Sequence, residues 1–285
     1  MQIGVAIFCT EYTIGPVALA RGLEERGLDV LMFPEHSHIP ASRATPFPSG
    51  GELPREYKYT VDPFVGLAAA AAVTERLLIG TGVCLVTQRD PIHTAKAVAT
   101  LDRISNGRFL FGIGAGWNRE EMENHGTDFD SRFRLMRERI EAMKALWRDE
   151  EAAYHGRLVD FDPLWQWPKP VQKPHPPILI GGHGPHVFDR VIRYGDEWLP
   201  IGRALDPDKL ESARAELDRR AADAGRGEIP VTVYGCEPDL ARLEGYAEAG
   251  AHRVLFWMGS VGGAEAERQL DRFADLKSRF DGRGG

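Results

Sequence analysis

Short apolar runs alternate with longer amphipathic stretches along the whole chain. Residues 2–8, 29–34, 77–85, 108–113, 177–182, 196–202, 231–234 and 253–258 are mostly apolar, aromatic or β-branched. Runs that are apolar on both faces predict strands buried in a parallel sheet. Between them, residues 14–26, 62–74, 92–104, 131–147, 185–194, 207–225, 238–249 and 263–280 read as helices. In the first of these, Val17, Leu19, Ala20 and Leu23 fall on neighbouring faces, with Glu24, Glu25 and Arg26 outward. The punctuation agrees. Gly27 closes that helix as a C-cap glycine, and Asp62-Pro63 opens the next as N-cap and first-turn proline.

Eight strand-plus-helix units in 285 residues predict one α/β domain over 1–285, a closed (β/α)8 TIM barrel. An open doubly wound sheet is the alternative. Two segments stand outside the pattern as insertion loops. Residues 39–60 are rich in Pro, Gly, Arg and Ser, and residues 149–176 read as irregular, their prolines and tryptophans between 163 and 170 excluding a helix interior. Loops this long in a compact domain act as lids or binding loops. A barrel also gathers its chemistry at the C-terminal ends of its strands. Glu35-His36, Thr81-Gly82-Val83, Gly112 to Asn118, Gly181-Gly182 and Gly202-Arg203 all fall there.

Hydrophobic content of 43% and charged content of 27% are those of a soluble globular protein. A net charge of −7, spread along the chain, argues against nucleic acid or an anionic membrane as partner, though local basic residues can still meet an acidic ligand. The N-terminus enters a strand without a basic region, so it does not read as a signal peptide, and the apolar run from Gly66 to Val73 is too short to span a bilayer. Cys9, Cys84 and Cys236 are far apart with no C-x-x-C, which suits a reduced, cytoplasmic setting with neither disulfide framework nor cysteine zinc site.

Three stretches carry candidate chemistry. Gly112, Gly114 and Gly116 follow a buried strand at alternate positions, where bare backbone lets a ligand approach or simply packs a tight turn. They are not a dinucleotide fingerprint, because Trp117 stands where its third glycine belongs. Glu35-His36-Ser37-His38 offers a histidine for proton transfer beside a carboxylate; the bland reading is a histidine bonded within its own loop. The H-x-H spacing resembles a metallohydrolase pair, but no second histidine pair with a completing carboxylate follows at a later strand end, so no metal is expected. Pro177 to Gly182, before a helix, reads as a phosphate turn, with a plain βα turn as the alternative. Together these suit a large, flat, phosphorylated cofactor, which points to flavin-type redox chemistry.

The chain resembles the luciferase-like monooxygenase superfamily, the bacterial-luciferase barrel, over nearly its whole length. The matching pieces run in order: Ala20-x-x-x-Glu24-x-x-Gly27, Phe33-Pro-Glu-His36, Leu78-Ile-Gly-Thr-Gly-Val83, Arg89-Asp-Pro91, Thr100 to Arg108, Gly112-Ile-Gly-Ala-Gly-Trp117, Lys169-Pro-Val-Gln172 and Pro176 to Gly182. The pattern is most similar to the branch that uses the deazaflavin coenzyme F420, with FMN-dependent monooxygenases next. That resemblance implies a hydride-transferring oxidoreductase on a small organic substrate, and a homodimer. It implies that Glu35 or His36 serves the substrate beside the ring. Thr81, Gly82 and Val83 would back the ring, the last two as a bulge with a non-prolyl cis peptide. Gly114, Ala115, Gly116 and Asn118 would line the cofactor tail, and Gly181 and Gly182, followed by His183, its phosphate. Loop 39–60 and the 149–170 insertion would cover the substrate. Two departures stand out: Ala115 where deazaflavin dehydrogenases often carry an acid, and His183, which matches nothing in the pattern.

Overall fold

In the computed structural model, which describes residues 1–282, parallel strands follow one another around a nearly closed ring. The strands are β1 (Gln2–Ala6), β2 (Val30–Phe33), β3 (Leu78–Thr81), β4 (Cys84–Leu85), β5 (Phe109–Gly114), β6 (Glu151–His155), β7 (Asp160–Trp165), β8 (Ile178–Gly181), β9 (Glu197–Leu199), β10 (Thr232–Cys236) and β11 (Arg253–Trp257). The helices are α1 (Pro16–Glu25), α2 (Pro63–Ala71), α3 (Pro91–Ile104), α4 (Arg119–Asn124), α5 (Arg132–Arg148), α6 (Val187–Tyr194), α7 (Pro207–Asp223), α8 (Leu240–Glu248) and α9 (Gly263–Asp281). The sheet order is β10-β11-β1-β2-β3-β5-β8-β9, with β4 beside β5. Two parallel bridges, Trp198 to Val231 and Ile201 to Tyr234, join β9 to β10 and close the ring. An open sheet would leave those two strands as distant edges, so the fold is the (β/α)8 TIM barrel.

Period-two alternation along the strands divides the apolar residues between two cores. Val30, Met32, Leu110, Leu179, Leu199 and Leu255 fill the barrel's interior. Leu31, Phe33, Phe109, Phe111, Ile178 and Ile180 pack outward against the helices. The thin β9–β10 seam is stitched at its N-terminal end. Glu197, 2% exposed, takes both Arg253 Nη1 contacts (2.8 and 2.9 Å) and the Thr232 hydroxyl, and Arg253 Nε reaches Gln2 Oε1 at 2.8 Å. One ion pair thereby ties β9, β10, β11 and β1.

The 149–176 segment departs from expectation. It contains an antiparallel hairpin, β6–β7, packed on α5 through Tyr154, Val159 and Phe161 against Leu135 and Ala142. Glu138 Oε2 accepts the Leu158 and Val159 amides at 2.6 and 3.2 Å. Pro163 disguised β7 in the sequence; it sits at a register shift, where a missing N–H costs no ladder bond. Trp165 and Trp167, in the insertion expected to cover the substrate, are 76% and 59% exposed on this outer layer. No helix among the described residues is long and apolar enough to cross a membrane.

Candidate functional site

The turn between β3 and β4 is built around the Gly82–Val83 peptide, which is cis. Val83 fills the space that two glycines leave. A Cβ placed on Gly114 would lie 2.6 Å from Val83 Cγ2, and one on Gly181 would lie 2.7 Å from Val83 Cγ1. A Cβ on Gly82 would lie 2.2 Å from the Tyr234 ring. These glycines therefore serve close packing, and Gly112 does too, at 2.0 Å from Thr81 O. Thr81 itself is fully buried and gives its hydroxyl to the Gly112 carbonyl at 2.7 Å. Ala115 accepts the Thr87 hydroxyl at 2.9 Å. Gly116, at φ +79°, turns the chain into Trp117 and Asn118. Of the glycines expected at the site, Gly182 differs: φ is +113° and no atom lies within 4 Å of a built Cβ. His183 beyond it is exposed, and α6 begins only at Val187, so the phosphate-like turn does not sit directly on a helix N-terminus.

Glu35 and His36 leave β2 together and part company. Glu35, 6% exposed, accepts the Leu85 amide through Oε2 at 2.6 Å, and its Oε1 takes Arg89 Nε at 2.6 Å and Arg89 Nη2 as well. Arg89 in turn reaches Asp62 at 2.6 Å, joining the β4 turn to the start of α2. Both Glu35 oxygens are engaged in holding the strand ends. His36 keeps an open acceptor. Its Nδ1 lies 2.8 Å from Oε2 of Glu121, a fully buried carboxylate whose Oε1 accepts the Ser37 amide at 3.1 Å. A carboxylate there keeps the proton on Nδ1 and leaves Nε2 as the acceptor. Among the described residues Nε2 has no hydrogen-bond partner.

Aromatic rings wall this histidine. Phe8, Tyr57 and Trp117 have centroids 6.4, 5.2 and 5.7 Å from the His36 ring, and Phe47 stands against Tyr57 and Trp117 at 5.3 and 5.9 Å. Burial, reinforced by Glu56, pushes the Tyr57 hydroxyl up to about 12, so it stays a neutral hydrogen-bonding group. Behind Gly82, the buried Tyr234 hydroxyl has no partner among the described residues, and burial raises its pKa as well.

Sequence reasoning missed Glu121, Tyr57, Phe8 and Tyr234. For Glu121 a signal existed. Asn118-x-x-Glu121 has capping-box spacing, and Asn118 Oδ1 does cap α4 by accepting the Glu121 amide at 3.1 Å. The glutamate of such a box ordinarily turns back to the cap; here it reaches His36. Its neighbour Glu120 holds loop 39–60, accepting from Ser42 Oγ and the Ala44 amide at 2.9 Å each and from the Thr45 amide and hydroxyl. The Thr45 hydroxyl foremost, with Ser42 and the amides, holds the Glu120 carboxyl down to about 2.

The geometry suits a flat cofactor. Val83 and Tyr234 back the β3–β4 turn, open backbone lies at Gly182, and two buried polar atoms, Tyr234 Oη and Asn118 Nδ2, wait without partners among the described residues. Among the described residues, no three His, Cys, Asp or Glu side chains converge as a metal would require.

An uncharacterized protein of Mycobacterium tuberculosis is 40% identical over 279 residues, 96% of this chain and 98% of its own. The crystal structure of monooxygenase RslO1 from Streptomyces bottropensis superimposes with a TM-score of 0.77 at 21% identity, covering 98% of this chain and 99% of that one. An F420-dependent secondary alcohol dehydrogenase in complex with an F420–acetone adduct also gives 0.77, at 18% identity and the same coverage. The sequence profile of the luciferase-like monooxygenases matches residues 15–274, and the chain belongs to that family.

Proposed function

We propose that the protein is a coenzyme F420-dependent oxidoreductase that interconverts an alcohol and a carbonyl on a small organic substrate. The His36–Glu121 pair carries this reading, because alcohol–carbonyl redox needs a proton acceptor at the substrate oxygen. The deazaflavin would supply the hydride-transfer chemistry at its C5. The accompanying proton passes from the substrate hydroxyl to His36 Nε2, and Glu121 steadies the imidazolium that results. In the reverse direction His36 returns that proton to the carbonyl oxygen. Phe8, Phe47, Tyr57 and Trp117 hold the apolar body of the substrate and exclude water. Val83 and Tyr234 would support the ring, Asn118 would give its free amide N–H to the cofactor, and Gly182 would leave its phosphate room. Glu35 acts as a positioning residue.

The likeness to a monooxygenase of equal TM-score keeps a second reading in view, an FMN-dependent monooxygenase using reduced flavin and O2. Separate titrations with F420 and FMN, followed by oxygen uptake with reduced FMN, distinguish the two. Tight F420 binding with no oxygen uptake supports the first; FMN binding with substrate-dependent uptake replaces it. The reading also carries a homodimer, which sedimentation checks directly.

A further inference from the structure

Beside the His36–Glu121 pair, four side chains form a chain of hydrogen bonds at the surface. Ser37 Oγ lies 2.9 Å from His38 Nδ1 and 2.7 Å from His125 Nε2, and Asn124 Nδ2 lies 2.8 Å from His38 Nε2. Ser37 and His38 belong to the loop that leaves β2, whereas Asn124 ends α4 and His125 caps it. The donors set the order. Asn124 Nδ2 only donates, so His38 accepts at Nε2 and, when neutral, keeps its proton on Nδ1. That proton goes to the Ser37 oxygen, and the Ser37 O–H is free to donate to His125 Nε2. With both rings neutral, every donor in the chain meets an acceptor.

One added proton can be absorbed by turning the Asn124 amide or the Ser37 hydroxyl, both of which are exposed. Two cannot. Both rings would then aim an N–H at one oxygen with their centroids 5.5 Å apart, like charge against like charge. Around His125, Glu121 and Glu35 favour the charged ring. Partial desolvation foremost, then the His38 charge, with Arg89, outweigh them and hold its pKa below the ordinary value. The same serine also grips α4 through its main chain, giving its amide N–H to Glu121 Oε1 at 3.1 Å, while Glu121 Oε2 faces His36 Nδ1 at 2.8 Å. We propose that Ser37, His38 and His125 form a pH-sensitive clamp that fixes the β2 loop to α4, keeps Glu121 on His36, and opens when both rings are charged. Ser37 is thereby a positioning residue. A clamp that needs one neutral ring is whole above the ordinary imidazole range and is lost as pH falls through it. Its effect on turnover rests on the proposed oxidoreductase reading; the clamp itself does not.

Hydrogen exchange at the Ser37 amide of the whole protein, corrected for its intrinsic pH dependence, tests this. Protection should fall about tenfold between about pH 8 and about pH 5 in the wild type. Charging His36 works the other way, since an imidazolium holds Glu121 more tightly. His125→Gln keeps an acceptor for the Ser37 hydroxyl but takes no charge, so protection should hold across the range. Ser37→Ala should lack it already at pH 8. Turnover with F420 should follow, with an acid limb steeper than one proton in the wild type and a one-proton limb, that of His36, in His125→Gln. Protection that stays level in the wild type, or falls as far in His125→Gln, overturns the clamp. Identical acid limbs in the two proteins overturn its hold on His36. The expected protection in a protein without F420-dependent turnover upholds the clamp and removes the oxidoreductase reading.

Discussion

The two ends of the barrel treat polar groups differently. At the N-terminal end several are paired with one another. Glu197 and Arg253 neutralise each other across the seam, Asp29 takes the Ile3 amide at 2.8 Å and Lys277 at 2.9 Å, and Arg108 spreads its guanidinium over the carbonyls of Ala71, Thr74, Leu77 and Ser105. At the C-terminal end, the buried Tyr234 hydroxyl and Asn118 Nδ2 are left without a hydrogen-bond partner among the described residues. Buried polar groups are ordinarily satisfied, because leaving them unsatisfied costs stability. One end of this molecule is built for cohesion, and the other keeps valence for a guest.

That contrast makes separable predictions. His36→Asn should lower turnover by about 10²–10⁴-fold, the usual worth of a positioned acid–base group, and leave the urea midpoint nearly unmoved. Arg253→Ala should do the reverse. It strands the buried Glu197 charge at the β9–β10 seam and should cost about 3–5 kcal/mol in urea denaturation, while turnover per folded molecule holds. Loss of activity at the seam without loss of stability would break the comparison. Gly114→Ala sharpens it from the top. The new methyl meets Val83 at 2.6 Å, so about 1–3 kcal/mol of stability should go, together with F420 affinity, whereas Gly184→Ala, with open space around it, should change neither. Glu121→Gln keeps a hydrogen bond to His36 but removes the charge that steadies the imidazolium. Turnover should fall about tenfold and its pH profile should shift.

The smallest effect concerns the Glu120 latch. A carboxyl held at about 2 contributes stability above the ordinary carboxylate range and loses it as pH falls toward about 2. Exchange at the Ala44 and Thr45 amides should quicken over that acid window in the wild type relative to neighbouring amides, and Glu120→Gln should flatten the difference.

The fold was legible because strand and helix differ in period, and eight repetitions of the pair in one chain leave few topologies. The face of the site was legible for the same reason, since strand ends are fixed once strands are. What each group does there was not. Gly114 and Gly181 read as bare backbone for a ligand, yet Val83 occupies their space, and sequence does not say whether a missing side chain is replaced by a guest or by a neighbour. Glu35 stands next to His36 in the chain, but successive side chains leaving a strand diverge. The carboxylate that meets His36 comes from Glu121, which lies beyond three strands, β3, β4 and β5, in the sequence. The β6–β7 hairpin escaped because a half-exposed pair on a helix carries no apolar run.

The six-residue helix α4 has one consequence of its own. Adjacent carboxylates on it grip two different things, Glu120 the covering loop and Glu121 the histidine. A movement that lifts the loop by carrying α4 with it also withdraws the partner that aims the imidazole. Access and readiness are then a single mechanical variable: while the door stands open the base is unaimed, and it regains its aim only as the door shuts.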